Sequence, residues 1–200
     1  MANWYEMSPS TARSAKKLSR AYGFDSPEAL ATSLPDNALV IDVGSGKSKF
    51  GHTIAGLRPD IRWVNVDLRN GRRRPMRRLH ARAPSNLHYV GGDVLNLPIA
   101  PESAQRVYST ALLPHIALDS SELAGEAFVG MAALLAVDGE IAYNGFAAIP
   151  NSAYHVTASE FHANPEGVSL EAVDQMTLDP AIRGIQKVLN FVGHITLTNC

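Results

Sequence analysis

Cysteine is almost absent from this chain of 200 residues, and Cys200 is the only one. A single thiol excludes an internal disulfide, and it also excludes a metal site built on several thiolates. No other grouping of side chains in the sequence matches a metal-binding template, so we expect no metal site. A chain without disulfides suits a reducing compartment, and we therefore expect a cytoplasmic protein.

An excess of charge of either sign is also missing. The 18 basic and 19 acidic residues give a net charge of -1, which provides no overall attraction to nucleic acids or to a membrane surface. Long apolar runs are absent too, because the longest one, residues 127–137, is interrupted by Gly130 and is shorter than the roughly 18 residues that a spanning helix needs. The first residues, MANWYEMSPS, lack the basic start of a signal peptide. We expect no membrane partner, and the sequence does not indicate the oligomeric state.

Short apolar segments alternate with helix-like segments through the middle of the chain. The runs ALVIDV, IRWVNVDL, NLHYVGGDV, AQRVYSTALL and GEIAYNGFAAI predict five strands, with helices at residues 47–57 and 120–136. This alternation favours an α/β fold in three layers, a mostly parallel central sheet with helices on both faces. We expect a single domain, with an N-terminal helical cap at residues 1–35 and a core at residues 36–200.

The ends of the chain are predicted with less regular patterns. Within the cap, Ser26 fits an N-cap and Pro27 fits the first helical position. Residues 151–167 are predicted as loop and residues 168–190 as a helix broken near Asp179 and Pro180. The run FVGHITLTN predicts a last strand.

The stretch VIDVGSGKSKFG invites a reading as a phosphate-binding loop, but its spacing excludes one. In the P-loop pattern G-x-x-x-x-G-K-[ST], the first glycine would fall at position 41, which is Ile41. The dinucleotide pattern G-x-G-x-x-G fails as well, because its third glycine would fall on Lys49. Another kind of ligand must use this turn.

Carboxylates stand at the ends of three of the predicted strands, at Asp42, Asp67 and Asp93. In a parallel sheet, ligands bind at the carboxyl ends of the strands near the point where the strand order reverses. Carboxylates there repel a polyphosphate. They suit a cationic ligand that is rich in hydroxyl and amino groups.

Four motifs in order make residues 38–147 resemble the class I S-adenosylmethionine-dependent methyltransferases, whose fold is Rossmann-like. Motif I of that family, an acidic residue followed by G-x-G, is matched by Asp42, Gly44 and Gly46. The acidic end of strand two is matched by Asp67 in WVNVDLR, and the aspartate after strand three by Asp93 in GDVLNLP. The passage from there through YSTALLPHI is similar to the family's strand four. The resemblance implies S-adenosylmethionine as the cofactor.

The resemblance also implies a role for each matched residue. Asp42 would favour the cationic end of the cofactor, Asp67 would bind both ribose hydroxyls, and Asp93 would bind the adenine amino group. The backbone N–H of Val94 would face the adenine ring, with Leu68 and Leu95 on its two sides. The remaining residues implied for the cofactor site are the turn residues Gly44, Ser45 and Gly46, and Thr110 at the end of strand four. The family pattern has a third small residue after the G-x-G, usually a glycine, and this chain has Ser48 at that position.

The implied reaction is methyl transfer to a small-molecule acceptor, because STALLPHI looks most like small-molecule methyltransferases of the quinone-biosynthesis type. A general base is needed only if the acceptor holds its proton tightly at neutral pH. His115, just past strand four, is the candidate for that catalytic role. A lone histidine is often structural, and that alternative stays open here.

Three other functions are compatible with the sequence. The run RNGRRRPMRRLHAR, which begins at Arg69 and ends at Arg82, holds seven arginines in fourteen residues and could contact an RNA backbone, as in a tRNA or rRNA methyltransferase. It has no aromatic side chain for base stacking, and a solvated face explains it equally. The chain could instead be a methyltransferase-fold protein that binds without catalysis. A nicotinamide-dependent reductase is the third alternative, and Lys49 counts against it.

Overall fold

The computed structural model describes residues 14–46, 49–68, 81–144, 153–169 and 171. Six strands lie within these residues: β1 Leu39–Val43, β2 Arg62–Val66, β3 Leu87–Val90, β4 Ala104–Thr110, β5 Leu135–Asn144 and β6 Tyr154–Thr157. The helices are α1 Ala15–Ala21, α2 Pro27–Ser33, α3 Phe50–Leu57, α4 Leu112–Asp119, α5 Ser121–Ala132 and α6 Ala158–Ala163.

The strands form one sheet in the order β3-β2-β1-β4-β5-β6. The first five strands run parallel, and β6 pairs antiparallel with β5. The chain moves outward from β1 to β2 and β3 and then returns to the other side of β1 as β4. The order therefore reverses between β1 and β4, where open α/β sheets bind their ligands.

Both faces of the sheet are covered by helices, as the alternation of the sequence predicts. One buried cluster joins α1, α2 and α3 to the sheet and contains Trp63 and Tyr108. A second cluster on the opposite face joins α4, α5 and α6 to it and contains Phe128 and Met131. The protein is a three-layer, Rossmann-like α/β sandwich.

The N-terminal helices dock on the first of these faces. Ser26 caps α2, because its hydroxyl accepts a hydrogen bond from the Ala29 N–H at 3.2 Å, and Pro27 is the first helical residue. Both features confirm the sequence prediction. Arg58 at the end of α3 then donates to the carbonyls of Ala31 at 2.7 Å and Leu34 at 2.9 Å, which ties the end of α2 to the core.

Three predictions about secondary structure are wrong in part. The strand predicted for AQRVYSTALL ends at Thr110, because the positive φ of Ala111 turns the chain and Leu112 begins α4. Residues 151–167 were expected to be a loop, but they contain β6 and α6. The strand exists because it pairs with the edge strand β5, and the helix begins at a capping box in which Thr157 and Glu160 satisfy each other's backbone N–H groups. The helix predicted at residues 120–136 ends at Ala132, and Leu135 already belongs to β5.

Other predictions concern residues that lie outside the described ones. These are the start of the cap, most of the arginine run (residues 69–80), the broken helix beyond residue 171, and the last strand. Within the described part of the chain, no helix has both the length and the apolar character needed to cross a bilayer.

Candidate functional site

The turn after β1 is shaped by two glycines with positive backbone angles. The φ angles are +72° at Gly44 and +54° at Gly46, a region that residues with a Cβ adopt only with strain. The Gly44 N–H donates to the carbonyl of Val66 at 2.8 Å, so the turn rests on the end of β2. A Cβ on Gly44 would also lie 3.0 Å from the Cβ of Leu112, the first residue of α4. The turn therefore needs glycine at position 44 for both its angle and its packing.

Asp67 links the turn to the ends of β2 and β3. One of its carboxylate oxygens, Oδ2, accepts a hydrogen bond from the Gly46 N–H at 3.0 Å. Its backbone N–H donates to Val90 at 3.2 Å, and its carbonyl accepts from the Gly92 N–H at 3.4 Å. The structure thus brings Gly46, Asp67 and the GGD segment together at the carboxyl edge, as the strand ends predict. A carboxylate accepts several hydrogen bonds, so Asp67 can bind a ligand while it holds the turn.

Two leucines are exposed next to the acidic residues of this edge. The exposed fractions are 48% for Leu68 and 46% for Leu95, which are high values for large apolar side chains. Asp93 is exposed, and its Oδ1 accepts a hydrogen bond from the Leu95 N–H at 3.1 Å, so the aspartate shapes its own turn. The Val94 side chain packs against the core beneath. Apolar side chains beside carboxylates form a surface that suits a flat heterocycle carrying hydrogen-bond donors.

Asp42 lies within β1 and is buried in the interior, rather than exposed at the carboxyl edge of the sheet. It is 4% exposed and shares a sheet face with its neighbours Asn65 and Tyr108. Burial raises the pKa of Tyr89 to about 12; a hydrogen bond with Asn65 lowers it, and the nearby Asp42 raises it further. The Asp42 carboxyl group therefore lies close to Tyr89 and provides an acidic side chain at the base of the glycine turn.

The other half of the edge is formed by the end of β4 and the start of α4. The Thr110 hydroxyl shares a short hydrogen bond with the hydroxyl of Tyr22 from the cap. His115 is half-buried in the first turn of α4. Between them, Ala111 has a φ of +59°, which is unusual for a residue with a Cβ. The structure brings Thr110 and His115 to the edge, and their ligand roles stay predictions.

Three residues near the site were not singled out from the sequence. Tyr22 and Asn144 come from segments far apart along the chain, and nothing in their local sequence marks them. Gly51 could have been identified from the sequence, because it is a glycine that follows shortly after the glycine turn. It lies at the start of α3. A Cβ there would lie 2.5 Å from Trp63 Nε1, so the close contact of α3 with β2 requires glycine. This is the packing role that the third glycine has in dinucleotide folds, displaced along the chain.

A charged row crosses the sheet away from this edge. Glu140 on β5 contacts His155 on β6 through a short hydrogen bond, and Arg106 on β4 lies 3.7 Å from its other oxygen. The His155 hydrogen bond, and secondarily the charge of Arg106, lower the pKa of Glu140 against the opposing effect of burial. These groups pair with one another across the strands.

No protein family matches the sequence, and no curated protein is similar to it. Many solved structures share the fold. A protein of Bacillus halodurans C-125 assigned as a methyltransferase is 19% identical over 58% of this chain and 49% of its own, with a TM-score of 0.47. Phosphoethanolamine N-methyltransferase 1 of Haemonchus contortus, solved with phosphoethanolamine and S-adenosylhomocysteine, is 21% identical over 66% of this chain and 27% of its own, with a TM-score of 0.47.

The [4+2]-cyclase SpnF is 16% identical over 58% of this chain and 43% of its own, with a TM-score of 0.48. The chain thus spans half or less of the length of each of these three proteins. Their likeness to it concerns the fold alone.

Proposed function

We propose that this chain is an S-adenosylmethionine-dependent methyltransferase that acts on a small molecule. The observation that carries the proposal is the hydrogen bond of 3.0 Å between the Gly46 N–H and Asp67 Oδ2. It brings the glycine turn of β1 to the carboxylate that ends β2, beside the exposed side chains of Leu68 and Leu95. A nucleoside with a cationic tail fits this combination better than a polyphosphate does.

The residues at the ends of β2 and β3 would hold the nucleoside part of the cofactor. A carboxylate offers about four lone-pair sites, so Asp67 would accept hydrogen bonds from the two ribose hydroxyls while it also holds the turn. Asp93 uses Oδ1 for its own turn, which leaves its other oxygen for an adenine amino group. Leu68 and Leu95 are the apolar side chains available to cover the two faces of the ring.

The glycine turn and Asp42 would hold the cationic part. Gly44 and Gly46 keep side chains out of the turn, so that a ligand can approach the backbone closely. The Asp42 carboxyl group, buried at the base of the turn, favours a positive charge above it. A sulfonium and an ammonium group both satisfy this preference.

Bound S-adenosylmethionine would supply an electrophilic methyl group, because its sulfur keeps the electron pair of the broken carbon–sulfur bond. The main work of the chain's own residues would then be to orient the acceptor and to exclude water. The acceptor atom provides the electron pair of the new bond and gives up a proton if it carries one. His115 is the candidate to accept that proton, because α4 holds it beside the end of β4.

The position of the cap favours a small molecule as the methyl acceptor. Tyr22 is 1% exposed and reaches Thr110 at the carboxyl edge, so the cap covers part of this edge. A covered site suits a ligand that is largely buried on binding, which is typical of small molecules.

A calorimetric titration with S-adenosylmethionine, S-adenosylhomocysteine, NADH and ATP with magnesium tests the proposal. We expect the two S-adenosyl compounds to bind at micromolar concentration and the other two far more weakly. Tight binding of NADH would favour the reductase, and tight magnesium-dependent binding of ATP would also contradict the proposal. Binding of the S-adenosyl compounds without methyl transfer to any acceptor would favour a binding protein.

An RNA acceptor is the second candidate, and the arginine run of residues 69–82 is the feature that favours it. Each phosphate that an arginine neutralises releases counterions, so binding through the run would weaken steeply with salt. We expect only weak binding to bulk tRNA, lost near 0.15 M salt, where the Debye length is about 8 Å. Submicromolar affinity at that salt concentration would make RNA the preferred acceptor.

A further inference from the structure

Asn144, the last residue of β5, carries a buried amide with unmet hydrogen-bonding capacity. The residue is 1% exposed, and among the described residues neither its Oδ1 nor its Nδ2 has a hydrogen-bond partner. Buried polar groups are nearly always paired, because leaving one unpaired destabilises the folded state. An orphaned donor and acceptor on one side chain therefore point to a partner beyond the described residues, such as a bound ligand.

The position of Asn144 relates it to the proposed cofactor turn. It pairs with Thr110 on β4, and Ser109 pairs with Val43, the residue before Gly44. Gly44, Thr110 and Asn144 thus stand in one row across β1, β4 and β5. Two strand spacings place the Asn144 backbone about 10 Å from the glycine turn. That separation suits a group that contacts the methyl acceptor rather than the cofactor.

The backbone of Asn144 is tied to the residue that precedes α4, the helix of the candidate base His115. Its carbonyl accepts a hydrogen bond from the Ala111 N–H at 2.8 Å, and Ala111 has the left-handed φ of +59°. Such strained residues occur preferentially at functional sites, where the surrounding structure holds them. Ala111 leads directly into α4, which carries His115. A ligand on Asn144 would therefore lie at the same edge of the sheet as the start of α4, the helix that carries His115.

We propose that Asn144 recognises the methyl acceptor as a neutral compound with an N–H and a C=O side by side, a lactam or cis amide. A carboxamide satisfies both of its groups only with a partner that offers an acceptor and a donor together. A simple anion or cation would satisfy only one of the two. Two side chains near Asn144, those of Thr110 and Tyr22, carry uncharged hydroxyls, which also suit a neutral ligand. This inference rests on the proposed function, because it names the acceptor of the same site.

A matched pair of variants tests whether Asn144 is orphaned. Asn65 is also 1% exposed and also lies in the sheet, but its Oδ1 accepts a hydrogen bond from Trp63 Nε1 at 2.8 Å. Replacement of an unpaired amide by an apolar side chain of similar shape should stabilise the fold, so Asn144→Leu should raise the melting temperature by about 2–4 °C. Asn65→Leu should lower it. A comparable drop in Asn144→Leu would show a structural partner and would overturn the inference.

Ligand binding then tests the chemistry. The probes are 2-pyridone, a lactam, and N-methyl-2-pyridone, which lacks the N–H donor. Protein-observed NMR should show that 2-pyridone shifts the side-chain amide signals of Asn144. Its affinity should fall at least tenfold in Asn144→Leu and for the methylated probe. Equal affinity in wild type and Asn144→Leu, or no binding of 2-pyridone, would overturn the inference.

S-adenosylhomocysteine separates this inference from the proposed function. Its affinity should be the same in wild type and in Asn144→Leu, because the residue is assigned to the acceptor. The protein could bind 2-pyridone through Asn144 without binding S-adenosylhomocysteine. This result would contradict the proposed cofactor but would still support a lactam-binding site at Asn144. A large loss of S-adenosylhomocysteine affinity in Asn144→Leu would contradict the assignment of Asn144 to the acceptor.

Discussion

Gly51 is a buried residue at which α3 packs directly against β2. A Cβ at this position would lie 2.5 Å from Trp63 Nε1 and 2.8 Å from Asn65 Oδ1, and neither side chain has room to move within the buried cluster. Gly51→Ala should therefore lower the free energy of unfolding by about 1–3 kcal/mol, as overpacking of a core does. Urea denaturation measures the change.

Gly56 provides the control, because it belongs to the same helix and is exposed. A Cβ there would meet only Pro84 Cγ, at 4.0 Å, which is an ordinary contact. Gly56→Ala should leave stability unchanged or raise it by up to about 1 kcal/mol, since alanine favours helix more than glycine does. Equal effects of the two substitutions would contradict the close packing of α3 on β2.

Glu140 should show the effect of its two neighbours, His155 and Arg106, in its titration. The hydrogen bond from His155 is the larger cause of its lowered pKa and the charge of Arg106 the smaller one. His155→Leu should therefore raise the pKa of Glu140, and Arg106→Met should raise it less. Carbon-13 NMR of the glutamate side chains measures both changes, and a larger effect of Arg106→Met would reverse this ranking.

The same interaction predicts how stability depends on pH. The pKa of Glu140 is lowered in the folded state, so the ionised side chain stabilises the fold at pH values above its ordinary pKa of 4.5. This stabilisation is lost as the pH falls through the pKa of the folded state. Wild type should thus be more stable than His155→Leu at pH 5, and the difference should shrink toward pH 3. Urea denaturation at the two pH values tests this expectation, and a difference that grew on acidification would contradict it.

At the scale of elements, Arg58 decides how the cap helix α2 is attached. It donates to two carbonyls at the end of α2 and also pairs with Asp60 at 2.7 Å and Asp36 at 3.1 Å. Arg58→Met removes all of these bonds, so amide exchange in α2 should become about tenfold faster while exchange in β1 and β4 changes little. Hydrogen exchange followed by mass spectrometry measures the difference.

Arg62 is the matched control for Arg58. It is an exposed arginine at the start of β2, so Arg62→Met should leave exchange in α2 unchanged. Equal acceleration by the two substitutions would show that α2 is not held by Arg58.

The elements that could be predicted from the sequence are those that local pattern alone specifies. The five parallel strands are short apolar runs, and the start of α2 at Ser26 and Pro27 follows standard capping chemistry. The strand β6 was missed because its four residues depend on pairing with β5 and on the stacking of Tyr154 against Tyr143, at 5.5 Å between ring centres. The sequence does indicate the start of α6, because Thr157 and Glu160 match the T-x-x-E pattern of a capping box, but the prediction of a loop did not take this pattern into account.

At the scale of the whole molecule, the sequence predicted one half of the candidate site better than the other. Asp67 and the glycine turn meet because parallel strands end at a common edge, and the topology follows from the alternation of segments. Tyr22 and Asn144 could not be predicted, because the role of the first depends on how the cap docks. The role of the second depends on an interior position where the described residues offer its side chain no hydrogen-bond partner. Both are properties of tertiary packing that no local pattern encodes.

The affinity of S-adenosylhomocysteine for variants of Asp67 tests the central claim most directly. Asp67→Ala removes the acceptor for the ribose hydroxyls, at a loss of roughly 1.5–3 kcal/mol for charged hydrogen bonds, so affinity should fall at least tenfold. Asp67→Asn keeps one acceptor oxygen for the Gly46 N–H, so a loss in this variant would come from the ligand rather than from the turn. Asp138→Asn, an exposed aspartate of β5, is the control and should bind like wild type.

Calorimetric titration of the three folded variants with S-adenosylhomocysteine measures these affinities. The account predicts weakened binding in both Asp67 variants. The melting temperature should stay near that of wild type in Asp67→Asn and should be somewhat lower in Asp67→Ala, which leaves the Gly46 N–H without this acceptor. Unchanged affinity in a folded Asp67→Ala protein would contradict a cofactor site at the ends of β1, β2 and β3.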